Sequence, residues 1–220
     1  MGKYNKLKAV VWDMDGVLLD SEKIHFDSWR AVFKEHSLKF IESSLRELFG
    51  MTSIQVIRRI GGKGLPDAFQ AQLIEEKDRL FHEWIKDKAV FLPGAREWLT
   101  AFQADGIRQA LASSSGPGSI DIILDALPAR DFFDVMVSGR DLPSNPDPHI
   151  FLQAARQLGI PPAGCLVIED AVVGVSAAKA AGMSCLAVAT TNPPSDLRDA
   201  DLVCASLTEI KQTHIADLFA

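Results

Sequence analysis

The chain has 220 residues, of which 47% are hydrophobic and 24% are charged, and its formal net charge is −6. This length allows one full core and a small accessory domain, and the composition is typical of a soluble globular protein. The negative charge argues against a general nucleic-acid binder, and no apolar run approaches the roughly 20 residues of a membrane span. The N-terminus lacks the apolar region of a signal peptide and the three cysteines lie in apolar segments, so we expect a cytoplasmic protein with reduced thiols and no membrane partner.

The first strand signal is the apolar run Ala9–Trp12, which ends in Asp13, Asp15 and Gly16. A run of this kind is typical of a strand buried on both faces. Side chains two apart on an extended segment point the same way, so we expect both carboxylates on one side. When two carboxylates lie so near each other, either one of them takes up a proton or a cation sits between them. The alternative is that these acids simply end a strand.

The next block, up to about Asp87, carries apolar residues at helical spacing, with breaks at 50–53 and 61–66. Strand-like alternation does not appear in it. This pattern predicts a small helical bundle inserted after the first strand. The predicted domains are an α/β core, 1–20 and 89–220, and a helical domain, 21–88.

From Phe91 onward, strand and helix patterns alternate. The predicted strands are 107–112, 133–137, 166–168, 185–188 and 202–204, and the predicted helices are 95–104, 119–127, 150–158 and 172–181. This alternation indicates right-handed βαβ units, and therefore an α/β fold with a Rossmann-like, mostly parallel sheet.

A second acid pair, Glu169 and Asp170, follows the predicted strand 166–168 in the same manner as the first pair. Open α/β sheets bind ligands outside the carboxyl ends of their strands. Two such strands side by side would bring four carboxylates into one crevice, where a hard divalent cation is needed and Mg²⁺ is the usual one. The charge argument alone predicts a metal among four acids.

The segment Asp13–Ser21, which reads DMDGVLLDS, and the pair at 169–170 resemble the haloacid dehalogenase-like superfamily. Within it the chain is most similar to the β-phosphoglucomutase and sugar-phosphate phosphatase branch, over nearly its whole length. The resemblance implies that the helical domain is a cap over the active site. It also implies a Mg²⁺-dependent phosphatase of small phosphorylated metabolites, with sugar phosphates as the expected class, acting through an aspartyl-phosphate.

The resemblance also implies roles for the acids. Asp13 is the expected nucleophile, and Asp15 is the expected general acid for the leaving alcohol and then base for water. We expect Asp15 to hold its proton because its neighbour keeps its negative charge on the metal side. The expected Mg²⁺ ligands are a carboxylate oxygen of Asp13, the backbone carbonyl of Asp15, Asp170, and Glu169 through water.

Two further segments match phosphate-binding motifs of the family. Small residues after a strand offer hydroxyl and N–H groups to an anion, and the resemblance makes Ser113 and Ser114 the phosphate-binding residues there.

The second motif departs from the family, which places a lysine before Pro-x-Pro, where this chain has Asn145. Losing one stabilising donor costs about 10²–10³ in rate, so we expect a slower enzyme. Arg140 could replace the cation, although a solvated loop arginine is the favoured interpretation.

In the cap, His25 matches a histidine that gates the acid/base in the mutase branch, and the alternative is a packed or surface histidine. Ser53 stands where a phosphoglucomutase needs an arginine for the second phosphate. Lys77 or Arg79 could supply charge to the cap face. Otherwise the basic residues of this block form a solvated helical surface: Arg58, Arg59, Lys63, Lys77 and Arg79.

Two alternatives to the phosphatase stay open. One is a β-phosphoglucomutase-like phosphoryl transferase, which Ser53 disfavours. The other is a phosphate-binding or regulatory homologue that has lost turnover, which Asn145 suggests. In each case we expect a monomer or weak dimer.

Overall fold

The computed structural model describes residues 6–39, 48–60 and 64–220. Their six strands form one parallel sheet in the order β3-β2-β1-β4-β5-β6. This confirms the predicted α/β fold. The strands are β1 (Ala9–Trp12), β2 (Arg108–Ser113), β3 (Val135–Ser138), β4 (Cys165–Glu169), β5 (Ser184–Val188) and β6 (Leu202–Cys204).

In the described ranges, four helices lie between β1 and β2, and four follow β2. The helices are α1 (Glu22–Glu35), α2 (Ser53–Ile60), α3 (Asp67–Ile85), α4 (Ala95–Ala104), α5 (Pro117–Ala126), α6 (His149–Leu158), α7 (Val172–Ala180) and α8 (Gln212–Asp217). The sequence pattern does not predict α8, because six residues are too few to show a helical period.

The sheet is buried on both faces, which explains why its strands read as unbroken apolar runs. In β1, Val10 and Trp12 pack into a cluster with side chains of α4 and α5, whereas Ala9 and Val11 pack into a second cluster with α6 and α7. Helices therefore cover both faces, and the carboxyl edge of the sheet is left for a site.

Helices α1, α2 and α3 share a hydrophobic cluster of their own, which includes Trp29, Phe33, Ile57 and Leu73. Helices α1 and α3 are tied to the core, because Ile24 and Phe81 belong to the cluster of the sheet. Within the described ranges, none of the helices has the length and apolar character that a membrane crossing requires. We call residues 21–88 the helical insertion; its limits as a domain stay a prediction.

Candidate active site

The acid-bearing ends of β1 and β4 lie side by side in register. Trp12 is the parallel partner of Ile168, and the amide of Asp13 donates to the carbonyl of Ile168 at 2.9 Å. Carboxylate oxygens of Asp13, Glu169 and Asp170 consequently lie within 4.8 Å of one another. Acids that are more than 150 positions apart in the sequence therefore meet at one edge of the sheet, as their positions after neighbouring strands predict.

The carboxylate of Asp15 is not part of this compact group of three. Strand β1 ends at Trp12, and the amide of Leu18 donates back to the carbonyl of Met14 at 2.9 Å, so Asp15 lies in a turn beyond the strand, where the alternation rule no longer applies. The carboxylate of Asp15 accepts hydrogen bonds from Ser21 and Ser115 instead of joining the group of three. Both Asp13 and Asp15 still line one cavity.

Crowding and desolvation raise the pKa values of the clustered acids. Burial first, and then the charges of Glu169 and Asp170, hold the pKa of Asp13 well above its ordinary range. Burial followed by the charge of Glu169 does the same to the pKa of Asp170, and burial raises the pKa of Glu169 to about 7. The three groups repel one another as carboxylates, so they need either protons or a cation.

The residues fit a hard divalent cation. Among the described residues, Oδ1 of Asp170 is a buried oxygen without a hydrogen-bond partner, which a native protein rarely leaves unsatisfied. Oε2 of Glu169 is fixed by the amides of Asp170 and Ala171, each at 2.6 Å. Carboxylate oxygens in a compact group are the ligands that Mg²⁺ and Ca²⁺ prefer.

Asp15 stands at the end of a chain of contacts that reaches into α3. Nε2 of His25 lies 3.3 Å from Oδ1 of Asp15, and Nδ1 of His25 lies 3.0 Å from Nζ of Lys77. An ammonium group only donates, so Nδ1 accepts from Lys77 and Nε2–H donates to Asp15. His25 is therefore connected to the acid/base candidate and is not an isolated packed histidine.

These contacts favour the carboxylate form of Asp15. Burial acts to raise the pKa of Asp15, but His25, Ser21 and Lys77 together hold it below its ordinary value. The expectation that Asp15 holds its proton during the reaction stays a prediction. Its surroundings favour the form that acts as a base.

The serine loop after β2 contacts the helical insertion. Oγ of Ser113 accepts the amide of Ser115 at 3.1 Å, and Ser114 donates to the carbonyl of Gly50 at 2.8 Å. Ser115 donates to Asp15 at 3.1 Å, a contact that sequence reasoning missed because any of the three serines could face inward. All three serines line the cavity.

Asn145 lies close to the helical insertion. Its amide donates to the carbonyl of Gly50 at 3.4 Å, and among the described residues it does not line the cavity. Position 145 thus contacts the helical insertion, and its expected phosphate-binding role stays a prediction.

Arg140 lies at the surface and does not line the cavity that contains the acids. Its guanidinium pairs with Asp78 of α3 and packs on the backbone of Gly116, although 47% of the side chain stays exposed. The exposure agrees with the favoured interpretation of a surface arginine, and the replacement cation stays a hypothesis. Arg58, Arg59 and Arg79 are exposed, in line with a solvated surface, and Lys63 lies outside the described residues.

The cavity that joins these groups has a volume of about 60 Å³. Its polar floor comes from the acids and serines of the core, and the helical insertion supplies His25, Ser53 and Lys77. Of the lysines and arginines in the described ranges, only Lys77 lines it. The apolar wall of the cavity consists of Phe26, Trp29, Leu48, Phe49, Met51 and Val56.

Comparison with known proteins places this geometry in a family. A family model described as haloacid dehalogenase-like hydrolase matches residues 7–182. A phosphorylated carbohydrates phosphatase of Thermotoga maritima is 33% identical over 182 residues, which cover 80% of this chain and 82% of that protein. The β-phosphoglucomutase of Bacillus subtilis is 32% identical over 212 residues, which cover 93% of this chain and 92% of that protein.

A solved structure has the same fold as this chain and is named for the same activity as one of these relatives. A crystal structure of β-phosphoglucomutase from Clostridium difficile superposes with a TM-score of 0.88 and 26% identity, and the match covers 97% of each chain. The family resemblance carried by residues 13–21 and 169–170 is thereby confirmed, together with the prediction of an enzyme of the hydrolase class. The chain belongs to the haloacid dehalogenase-like hydrolase family.

Proposed function

We propose that this hydrolase is a Mg²⁺-dependent phosphatase of small phosphorylated metabolites, with sugar phosphates as its substrate class. The observation that carries the proposal is the meeting of Asp13, Glu169 and Asp170 beside a serine loop in one cavity. The relatives named as acting on phosphorylated carbohydrates support the substrate class. Asp13, Glu169, Asp170 and the carbonyl of Asp15 would hold the ion, which supplies positive charge to neutralise the acids and the phosphoryl oxygens.

The first chemical step forms an aspartyl-phosphate. A carboxylate oxygen of Asp13 bonds to phosphorus while the bond from phosphorus to the ester oxygen breaks, and a protonated Asp15 gives its proton to the leaving oxygen. The N–H and hydroxyl groups of Ser113 and Ser114 hold the phosphoryl oxygens.

The second step hydrolyses this intermediate. Asp15 takes a proton from water, whose oxygen bonds to phosphorus as the bond to Asp13 breaks and phosphate leaves. This restores the proton on Asp15 that the first step used. The donors on Asp15, namely His25, Ser21 and Ser115, stabilise its carboxylate between the two steps.

In this proposal residues 21–88 form a cap over the core, 1–20 and 89–220. A cavity of about 60 Å³ has room for roughly four to six waters at 10–15 Å³ each, so a sugar phosphate needs the cap to open. Ser53, His25 and Lys77 are the cap residues that would face the substrate. The predicted cytoplasmic location and monomeric or weakly dimeric state stay predictions.

The test is phosphate release from a panel of sugar phosphates, with Mg²⁺ and with EDTA. We expect release that requires Mg²⁺ and falls by at least about 10³-fold in Asp13→Asn. Full activity in that variant would show that Asp13 is not the nucleophile and would overturn the proposal.

A second candidate is a phosphoryl transferase, which the 32% identity to a β-phosphoglucomutase favours. Conversion of β-glucose 1-phosphate to glucose 6-phosphate would identify this activity.

A further inference from the structure

The loop that follows β5 contacts both acid-bearing turns of the site. Oγ1 of Thr190 donates to the carbonyl of Gly16, in the turn after β1, at 2.5 Å. The side-chain amide of Asn192 donates to the carbonyl of Asp170, in the turn after β4, at 3.1 Å. One three-residue segment, 190–192, therefore connects the two turns that carry the acids.

The middle residue of this segment bonds directly to one carboxylate oxygen. Oγ1 of Thr191 donates to Oδ2 of Asp170 at 2.5 Å. The amide of Asn192 lies 3.1 Å from the same hydroxyl, and because an amide nitrogen only donates, the hydroxyl oxygen accepts there. The proton of the Thr191 hydroxyl is thus directed at Asp170.

The two oxygens of Asp170 consequently differ. Oδ2 is held by Thr191 and lies against Gly16, where a Cβ atom would come within 1.9 Å of it. Oδ1 is buried and, among the described residues, has no hydrogen-bond partner. Oδ1 is therefore the oxygen that these contacts leave for a cation.

We propose that Thr191 is a positioning residue that makes Asp170 a one-oxygen metal ligand and so favours Mg²⁺ over Ca²⁺. Mg²⁺ requires near-octahedral geometry at short distances, whereas Ca²⁺ takes six to eight oxygens and accepts two-oxygen carboxylates readily. A hydroxyl that donates to Oδ2, together with the close approach of Gly16, disfavours the two-oxygen mode. The inference rests on the metal site of the proposed function, but it concerns how one ligand is oriented and not which reaction follows.

The experiment measures binding of Mg²⁺ alone and Ca²⁺ alone by isothermal titration calorimetry, without substrate. The variants are Thr191→Val, which keeps the shape and removes the hydroxyl, and Thr191→Ser, which keeps the hydroxyl. Thr100→Val is the matched control, since Thr100 is exposed on α4 and its hydroxyl, like that of Thr191, donates a hydrogen bond. The acceptor of Thr100 is the backbone carbonyl of Arg96. Circular dichroism checks that each protein is folded.

We expect Thr191→Val to weaken Mg²⁺ binding by about 10–100-fold, the usual effect of losing a group that orients a metal ligand, while Ca²⁺ binding changes little or strengthens. Thr191→Ser and Thr100→Val should bind both ions as the wild type does. If Thr191→Val does not fold, Asn192→Ala removes the donor that directs the hydroxyl, and a smaller loss of Mg²⁺ preference is expected.

Equal weakening of both ions would overturn the selectivity, and an unchanged Mg²⁺ affinity in Thr191→Val would overturn the positioning role. Both results leave phosphate release by the wild type intact, which separates this inference from the proposed function. A wild-type protein that binds neither ion would overturn the inference together with the metal site.

Discussion

Nζ of Lys77 lies 3.0 Å from Nδ1 of His25, although the two residues are 52 positions apart in the sequence. Lys77 is buried, lies 4.7 Å from the ring centroid of Phe81 and also contacts Asp78 at 3.4 Å. Burial lowers the pKa of Lys77, and the charges of Asp78 and Asp15 oppose that shift. A lysine of the helical insertion therefore forms part of the cavity that holds the acids.

Lys77→Met keeps the length of the side chain and removes its charge from the cavity. We expect phosphate release to fall by about 10²–10³-fold, since one preorganised donor is lost. Arg79→Met is the matched control, because Arg79 is an exposed cation on the same helix. The measurement is the steady-state rate of phosphate release by both variants. A loss of activity in Arg79→Met with none in Lys77→Met would contradict the role of Lys77 and assign the cap charge to Arg79.

Gly16→Ala should disrupt the acid cluster. Gly16 has a φ of +80°, and its Cβ would lie 1.9 Å from Oδ2 of Asp170, so the carboxylate has to move. The left-handed backbone adds a cost of about 1–2 kcal/mol. Thermal unfolding with and without Mg²⁺ should show lower stability and no stabilisation by the ion.

Gly159→Ala separates the strain of the backbone from the damage to the site. Gly159 has a φ of +72°, and nothing lies within 4 Å of its Cβ position. This variant should lose a similar 1–2 kcal/mol and keep the response to Mg²⁺. If both variants respond to Mg²⁺ alike, the close approach of Gly16 to Asp170 does not matter for binding.

The stability of the metal-free protein should fall as pH rises. The pKa of Glu169 is raised to about 7, and the pKa values of Asp13 and Asp170 are raised as well, so the folded state binds more protons than the unfolded state in this window. The free energy of unfolding then decreases from about pH 4.5, where the unfolded acids ionise, to about pH 7.

Mg²⁺ should reverse that trend, because it binds the ionised carboxylates. At pH 8 a saturating excess of about 100 times Kd stabilises by about 2.7 kcal/mol, or roughly 5–10 °C in Tm. At pH 5 protons compete and the shift should be smaller. Differential scanning fluorimetry across this pH range checks the trend; a Tm shift that is larger at pH 5 contradicts it.

Asn145→Lys tests the departure from the family motif. We expect a wild type that turns over and a variant that is at most about 10²–10³-fold faster, the effect of one added stabilising donor. Since the amide of Asn145 contacts Gly50, the substitution should also change KM by altering the contact with the helical insertion. A silent wild type with an active variant would instead support the regulatory homologue.

The apolar runs of the sequence and the acids that follow them were sufficient to predict the parallel sheet and the acids at its edge. Buried parallel strands are short apolar runs, and the acids that follow β1 and β4 reach the same edge because the two strands pair in register. Asp13, Glu169 and Asp170 could therefore be assigned before their distances were known.

Tertiary packing decided the partners of the remaining groups. Arg140 and Asp78 are 62 positions apart, and Thr191 and Asp170 are 21 apart, so neither contact leaves a periodic signal in the chain. Asp15 accepts hydrogen bonds from Ser21 and Ser115, which lie 6 and 100 positions away from it in the sequence. Hydrogen bonds between distant segments exist only once the core is packed, and for that reason the residues that orient the acids appear only in the folded structure.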